Sequence, residues 1–200
     1  MIIIKILSYF INYSVIQKIN SFLSWLMTYS INRHLKQVDG IAKFNYPSLI
    51  KGPESIVMGK NFIAGRGLRL QAIKKYNDQT FNSKIVFGDN VTINPNCQIV
   101  AINTIIFKSD VLVASNVFIS DHGHGMLDFS DLSISPKDRK LSSKGQIIIG
   151  NKVWIGQNVT ILGNVNIGDN VIIGANSVVN KDFPDNCIIA GVPAKIIKFI

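Results

Sequence analysis

The sequence predicts an all-β solenoid, a parallel β-helix of hexapeptide repeats, with a helical segment before it and a protruding loop within it. Three observations predict this. Between Ile149 and Pro184 the chain reads in sixes as IGNKVW, IGQNVT, ILGNVN, IGDNVI, IGANSV and VNKDFP, each opening on an aliphatic residue: Ile149, Ile155, Ile161, Ile167, Ile173 and Val179. A period of six fits neither a helix of 3.6 nor a strand of 2 confined to one sheet, and is the mark of a solenoid. Position five carries Val153, Val159, Val165, Val171, Ser177 and Phe183, so positions one and five both point inward and stack in columns from coil to coil. Gly follows the aliphatic residue at Gly150, Gly156, Gly168 and Gly174, and Asn holds position four at Asn158, Asn164, Asn170 and Asn176, where both are expected to ease tight bends. With three faces per turn, six hexads make two turns.

A chain of 200 residues with 47% hydrophobic content is long enough for one domain with a real core, and most of it is not disordered. Its net charge of +9 points to an anionic partner: a nucleotide-bearing cofactor, a phosphorylated lipid or sugar, or an acidic membrane surface. Nucleic acid is disfavoured, because the basic residues are scattered and not interleaved with aromatics. Cys97 and Cys187 match no metal spacing and read as free thiols in a reducing compartment, with Cys97 a small core residue at position five.

Taken in order, the first thirty residues are rich in large apolar side chains. Lys5 and Lys18 leave only Ile6 to Gln17 free of charge, well short of the ~20 residues of a spanning helix. No small-residue cleavage site follows, so no secretory signal is expected. Ile4, Leu7, Ile11, Val15, Ile19, Phe22 and Leu26 recur at steps of three and four, one apolar stripe along a helix in residues 1–40. Such a helix would cap the solenoid or pack on a neighbouring subunit. The competing reading is an interfacial helix that holds the protein at a membrane with help from Lys5, Lys18, Arg33 and Lys36.

The β-helix is expected over residues 41–200. Its register is weak at MGKNFI and AGRGLR, breaks at the polar stretch Lys74 to Lys84, returns at FGDNVT and INPNCQ, and slips by two near Asn103. It returns again at FKSDVL and VASNVF. Insertions in a solenoid project from a corner without disturbing the stack. The largest, about residues 120–148, begins SDHGHG and holds His122 and His124, two of the chain's three histidines. A loop histidine is often plain surface, but a pair at the mouth of the longest excursion is a candidate general base. His34 receives no catalytic role.

From VWIGQNVTILGNVNIGDNVIIGANSVVNKDFPDNCIIAGVPAKIIK, preceded by SDHGHG, the chain resembles the hexapeptide-repeat O-acetyltransferases. It is most similar to those of bacterial capsule, colanic acid and O-antigen synthesis, and also to galactoside and maltose acetyltransferases. The resemblance is specific from about Val86 to Lys198, weak from Ile41 to Leu70 and absent from the first forty residues. It implies a left-handed β-helix, a hand that general crossover rules would not supply. It also implies acetyl-CoA as co-substrate, no metal, and a homotrimer with active sites between subunits.

Carried over residue by residue, the family's catalytic histidine falls on His122 through Ser120-Asp121-His122, and His124 would shape the acceptor pocket. The tryptophan of VWIG, which lies along the pantetheine arm, is Trp154; a trimer contact is its other reading. The small residue of IGAN whose backbone meets the cofactor is Ala175. Lys181, after the last repeat, and Lys195, in GVPAK, would meet the cofactor's phosphates. Gln157 stands where the family usually has Ser or Ala, and its longer side chain is expected to narrow the cofactor channel.

The implied reaction is direct acetyl transfer to a sugar hydroxyl of a surface polysaccharide or its lipid-linked precursor, with a histidine base. The implied setting is the cytoplasm, or the inner face of its membrane if the helix binds there. N-acetylation of a nucleotide-linked amino sugar is the alternative. A β-helix zinc enzyme would need three histidine ligands where only His122 and His124 are at hand, and a non-catalytic scaffold would fail to bind acetyl-CoA.

Overall fold

The computed structural model describes residues 12–125 and 131–200. Ile4, Leu7 and Ile11 of the predicted stripe lie outside the described residues, as do Lys5 and the middle of the predicted insertion.

Three parallel sheets form the faces of a prism. The first has six strands, from Gln37–Val38 through Ile56–Met58, Lys84–Phe87, Thr104–Phe107 and Ile147–Ile149 to Val165–Ile167. The second includes Lys43–Phe44, Leu112–Val113, Trp154–Ile155 and Ile172–Ile173, and closes on the antiparallel pair Cys187–Gly191 and Ala194–Phe199. The third runs from Leu49–Lys51 through Arg69–Ala72, Gln98–Ala101, Phe118–Ser120 and Thr160–Leu162 to Val178–Val179.

The inward columns are those the hexads predict. Ile149, Ile155, Ile161, Ile167, Ile173 and Val179 are buried, as are Val153, Val159, Val165, Val171, Ser177 and Phe183. Each fully buried Ile or Val removed from water contributes roughly 1.5–3 kcal/mol. In the earlier coils Phe44, Phe62, Phe87 and Phe107 stack at 4.7 to 5.5 Å between ring centroids. Aromatic side chains thus fill columns that later coils fill with Ile or Val. Cys97 and Cys187 are free and buried, and desolvation pushes both thiols above their ordinary range.

Asn and Gly serve the bends differently. Asn158, Asn164, Asn170 and Asn176 adopt φ of 56 to 65°, the left-handed region that Asn tolerates. Asn158 donates to Asn176 at 3.0 Å on the corner between the second and third sheets, and Asn170 to Asn186 at 2.9 Å on the corner between the first and second. The glycines are not in that region. A Cβ at Gly156 would lie 2.6 Å from the Ile173 carbonyl oxygen, and one at Gly150 2.4 Å from that of Gly168. Close approach of the next coil, and not backbone freedom, is their requirement.

A helix, α1 (Tyr13–Asn32), lies on the open edge of the first coil. A coil edge presents unpaired N–H and C=O groups, so its cover must be polar. Ser24, Thr28 and Asn32, four residues apart on one face, supply it. Asn32 brackets Ala42, accepting from its N–H at 3.0 Å and donating to its carbonyl at 2.8 Å. Thr28 accepts from Phe44 N–H at 3.0 Å and Ser24 from Tyr46 N–H at 2.9 Å. The part of the predicted stripe within the described residues, Val15, Ile19, Phe22 and Leu26, is on the opposite face and exposed, together with Trp25 and Tyr29. No described helix is long and apolar enough to cross a membrane.

Candidate active site

The insertion leaves the prism at the corner between the third and first sheets and is organised by a hairpin. His122–His124 pairs antiparallel with Leu141–Ser143, with His122 opposite Ser143 and His124 opposite Leu141. Gly125 N–H donates to the Lys140 carbonyl at 2.8 Å, and Ser142 Oγ donates to the Gly125 carbonyl at 2.6 Å.

Asp121 fixes His122 from below. It is 1% exposed and sits at the corner itself, between the equivalent corners of the coils on either side. Its Oδ1 accepts from Ile102 N–H at 2.9 Å and its Oδ2 from Asn103 N–H at 2.8 Å, both one coil earlier. In the next coil Gly163 makes room, since a Cβ there would lie 2.6 Å from the Asp121 carbonyl oxygen. Asp121 Oδ1 is also 2.9 Å from His122 Nδ1. A carboxylate held by two N–H donors is an acceptor, so Nδ1 carries the proton and Nε2 presents a lone pair. Ser120 Oγ donates to the His122 carbonyl at 3.0 Å. Asp121 was not among the sequence candidates. One signal for it was present: ILGNVN alone among the glycine-bearing hexads of the final run carries its glycine at position three, and that glycine is Gly163.

A second hairpin, Lys75–Tyr76 with Gln79–Thr80, occupies the polar stretch Lys74 to Lys84. It braces the first. Gln79 Nε2 donates to the Leu141 carbonyl at 3.0 Å while its Oε1 accepts from Leu141 N–H at 2.7 Å. Tyr76 stands edge-on to the His124 ring at 5.5 Å between centroids, and its hydroxyl donates to the Lys137 carbonyl. His124 is exposed and has no carboxylate partner of this kind among the described residues.

Both histidines line two clefts, one on each side of their hairpin. The larger, about 630 Å³, extends over the earlier strands of the third sheet past Phe118, Gln98 and Arg69. The smaller, about 360 Å³, extends toward Leu162, Gly163 and Asn180, the residue before Lys181. The remaining sequence candidates line neither cleft. Trp154 is 51% exposed on the outer face of the second sheet. Gln157 and Ala175 are exposed at the corner between second and third sheets, Lys181 is exposed beside the Phe183 ring, and Lys195 is exposed in the final strand. The histidine corner is the one opposite the second sheet, so a single chain keeps Trp154 and His122 on different sides of the prism. No group of three or more His, Cys, Asp or Glu able to hold a metal occurs among the described residues.

Comparison with known proteins agrees with this architecture. The bacterial transferase hexapeptide (six repeats) family matches residues 146–181. WbbJ of Escherichia coli, provisionally named a lipopolysaccharide biosynthesis O-acetyl transferase, is 43% identical over 156 residues, 76% of each chain. The E. coli galactoside O-acetyltransferase is 34% identical over 161 residues, 78% of this chain and 72% of the relative. A galactoside acetyltransferase solved with coenzyme A superposes with a TM-score of 0.58 at 31% identity, covering 84% of this chain and 67% of its own. The N-acyltransferase AntD from Bacillus cereus superposes with a TM-score of 0.68 at 20% identity over 86% and 87% of the two chains, a likeness of fold alone. The prism is the left-handed parallel β-helix of these structures.

Proposed function

The chain belongs to the hexapeptide-repeat acetyltransferases, which draw on acetyl-CoA, and we propose that it acetylates a sugar hydroxyl of a bacterial surface polysaccharide or of its lipid-linked precursor. The observation that carries this reading is the Asp121–His122 pair, a buried carboxylate 2.9 Å from Nδ1 of an imidazole that opens onto two clefts.

In this reading His122 Nε2 takes the proton from the acceptor hydroxyl as that oxygen attacks the thioester carbonyl. The imidazolium is stabilised by Asp121, which stays ionised and holds the ring in place. As the tetrahedral intermediate collapses the C–S bond breaks, and the imidazolium returns the proton to the departing thiolate. No acyl-enzyme is required. The two clefts suit two substrates that meet at the histidine: the smaller, toward Asn180 and Lys181, for the thioester arm, and the larger for the acceptor. His124, braced by Tyr76, shapes the acceptor side.

Trp154, Gln157, Ala175, Lys181 and Lys195 are assigned to the cofactor. Because Trp154 and His122 lie on different sides of one prism, the second sheet of a neighbouring copy must complete the site. A homotrimer with sites between subunits meets that need. The exposed face of α1, apolar at Val15, Ile19, Phe22 and Leu26 with Lys18 and Arg33 beside it, is assigned to peripheral contact with an anionic membrane. Cosedimentation with anionic vesicles, lost on replacing Phe22 and Trp25 with Ser, tests that contact.

The deciding experiment is mass spectrometry of surface glycans from cells carrying the active protein or His122→Ala. Acetyl groups present only with the active copy, and mapped to a hydroxyl, support the assignment. Acetate on an amine, or equal acetylation by both copies, sinks it.

A further inference from the structure

Gln71 lies in the third-sheet strand Arg69–Ala72, between Lys51 on one neighbouring strand and Val100 on the other. It is 3% exposed. Its Oε1 accepts from Arg69 Nη2 at 3.2 Å, which fixes the amide's orientation, because the reverse would set two donors against each other. Its Nε2 is buried with no hydrogen-bond partner. A buried donor left unmet is costly, and its residue, Gln71, lines the larger histidine cleft. The cleft therefore offers a fixed N–H pair awaiting an acceptor oxygen.

The charge around it selects the acceptor. Lys51, Arg69, Lys74 and Lys75 line the same cleft against a single carboxylate, Glu54. None of the four cations makes an ion pair among the described residues. Four unneutralised cations around an orphaned donor suit phosphate oxygens far better than neutral hydroxyls, and a guanidinium matches phosphate geometry in particular. Strand pairing sets the spacing: Gln71 pairs with Val100, and Val100 with Ser120, two residues before His122. Two strand steps are about 10 Å, a gap that takes a sugar ring between a phosphate on Gln71 and a hydroxyl at the base.

Resting on the acetyltransferase reading of His122, we infer that this cleft is a subsite for a diphosphate carried by the acceptor sugar, with Gln71 Nε2 as its central donor and Arg69, Lys51, Lys74 and Lys75 as counter-charges. The substrate is thus an activated glycosyl diphosphate and not finished polysaccharide. Coenzyme A also carries a diphosphate, but its assigned residues lie in later coils, and Asn180 beside Lys181 lines the other cleft.

The test is calorimetric titration of the full chain at low ionic strength with inorganic pyrophosphate, uridine diphosphate, geranyl diphosphate and coenzyme A in turn. Pyrophosphate is expected to bind, at least fivefold more weakly to Arg69→Met and to Lys75→Met, with coenzyme A affinity changed less than twofold. Gln71→Leu, which removes the orphaned donor at similar volume, is expected to weaken pyrophosphate equally without lowering the thermal midpoint. Tighter binding of uridine diphosphate than of pyrophosphate assigns a nucleotide-linked sugar, tighter binding of geranyl diphosphate a lipid-linked one, and equal binding of all three the diphosphate alone. Absence of pyrophosphate binding, binding unchanged in Arg69→Met and Lys75→Met, or a parallel loss of coenzyme A affinity overturns the subsite. Binding needs no turnover, so a protein inactive in acetyl transfer that still holds pyrophosphate through Arg69 refutes the proposed function and leaves the subsite standing.

Discussion

Replacing Asp121 with Asn exchanges one carboxylate oxygen for NH₂ at a position that three donors share. Oδ1 accepts from Ile102 N–H and faces His122 Nδ1, and Oδ2 accepts from Asn103 N–H. An amide cannot satisfy all three. With its oxygen at the Oδ1 position its NH₂ confronts Asn103 N–H; reversed, it confronts Ile102 N–H and donates to His122 Nδ1. Either way one backbone donor at a 1% exposed site loses its acceptor, at about 1–3 kcal/mol, which for a chain of this size lowers the thermal midpoint by roughly 2–12 °C. The reversed amide also moves the imidazole proton to Nε2 and removes the base. In serine proteases the equivalent change costs about 10⁴ in kcat, and here a loss between about 10² and 10⁴ is expected, with the KM for acetyl-CoA nearly constant. Thiol release from acetyl-CoA in the presence of acceptor, read beside a melting curve, measures both effects. A variant that melts lower as expected yet keeps kcat within tenfold would refute the role given to Asp121.

Other outcomes follow from the same geometry. His122→Ala should abolish transfer while His124→Ala leaves a measurable rate with a raised acceptor KM; steady-state kinetics with the reverse ranking would exchange their roles. Trp154→Ala should raise the KM for acetyl-CoA with a melting shift inside about 0.5 kcal/mol, since the side chain is half exposed; a large melting loss would assign it to a subunit contact instead. Gly156→Ala must push its Cβ against the Ile173 carbonyl oxygen and the Ala175 N–H, 2.6 and 2.7 Å away, and should destabilise by about 1–3 kcal/mol or more, whereas Gly123→Ala, with nothing within 4 Å, should melt as the parent does. Hydrogen bonds from Asn151, and then the nearby Lys108, hold the Asp169 carboxyl below the ordinary 3.8. The folded state thus binds that proton less readily than the unfolded chain, so the contribution is complete at neutral pH and fades as pH falls below that value. Asp169→Asn should therefore lower the midpoint at pH 7, with the deficit shrinking as pH falls below 3.8.

The fold was legible because the hexad is a local rule repeated in register. Ile155 and Val159 are inward in every coil for the same reason, and the eye needs only one period to find the rest. The first coils were harder to read because Phe44, Met58, Phe62 and Ala64 do the same inward packing with other residue types. Likewise the cap on the first coil was hidden in α1: the conspicuous apolar stripe faces away, while the contacts that satisfy the open edge come from Ser24, Thr28 and Asn32, polar residues that no hydropathy pattern selects.

The site was legible only where its chemistry breaks the repeat. His122 and His124 stand out because they interrupt it, and Gly163 departs from it because Asp121 needs the space. Its other parts depend on the distance between coils, which sequence does not display. Gln79 is sixty-two residues from the Leu141 backbone it braces, Ile102 and Asn103 reach Asp121 from one coil away, and Gln71 reaches the cleft two strands from Ser120. In a solenoid, residues a full turn apart are neighbours on one corner. A residue that looks like an unremarkable outward position in its own hexad can thus acquire a role from the hexads above and below it. The residues proposed for the cofactor would carry that logic one step further, since Trp154 faces away from His122 within its own prism and would meet a histidine only across the boundary to a second copy.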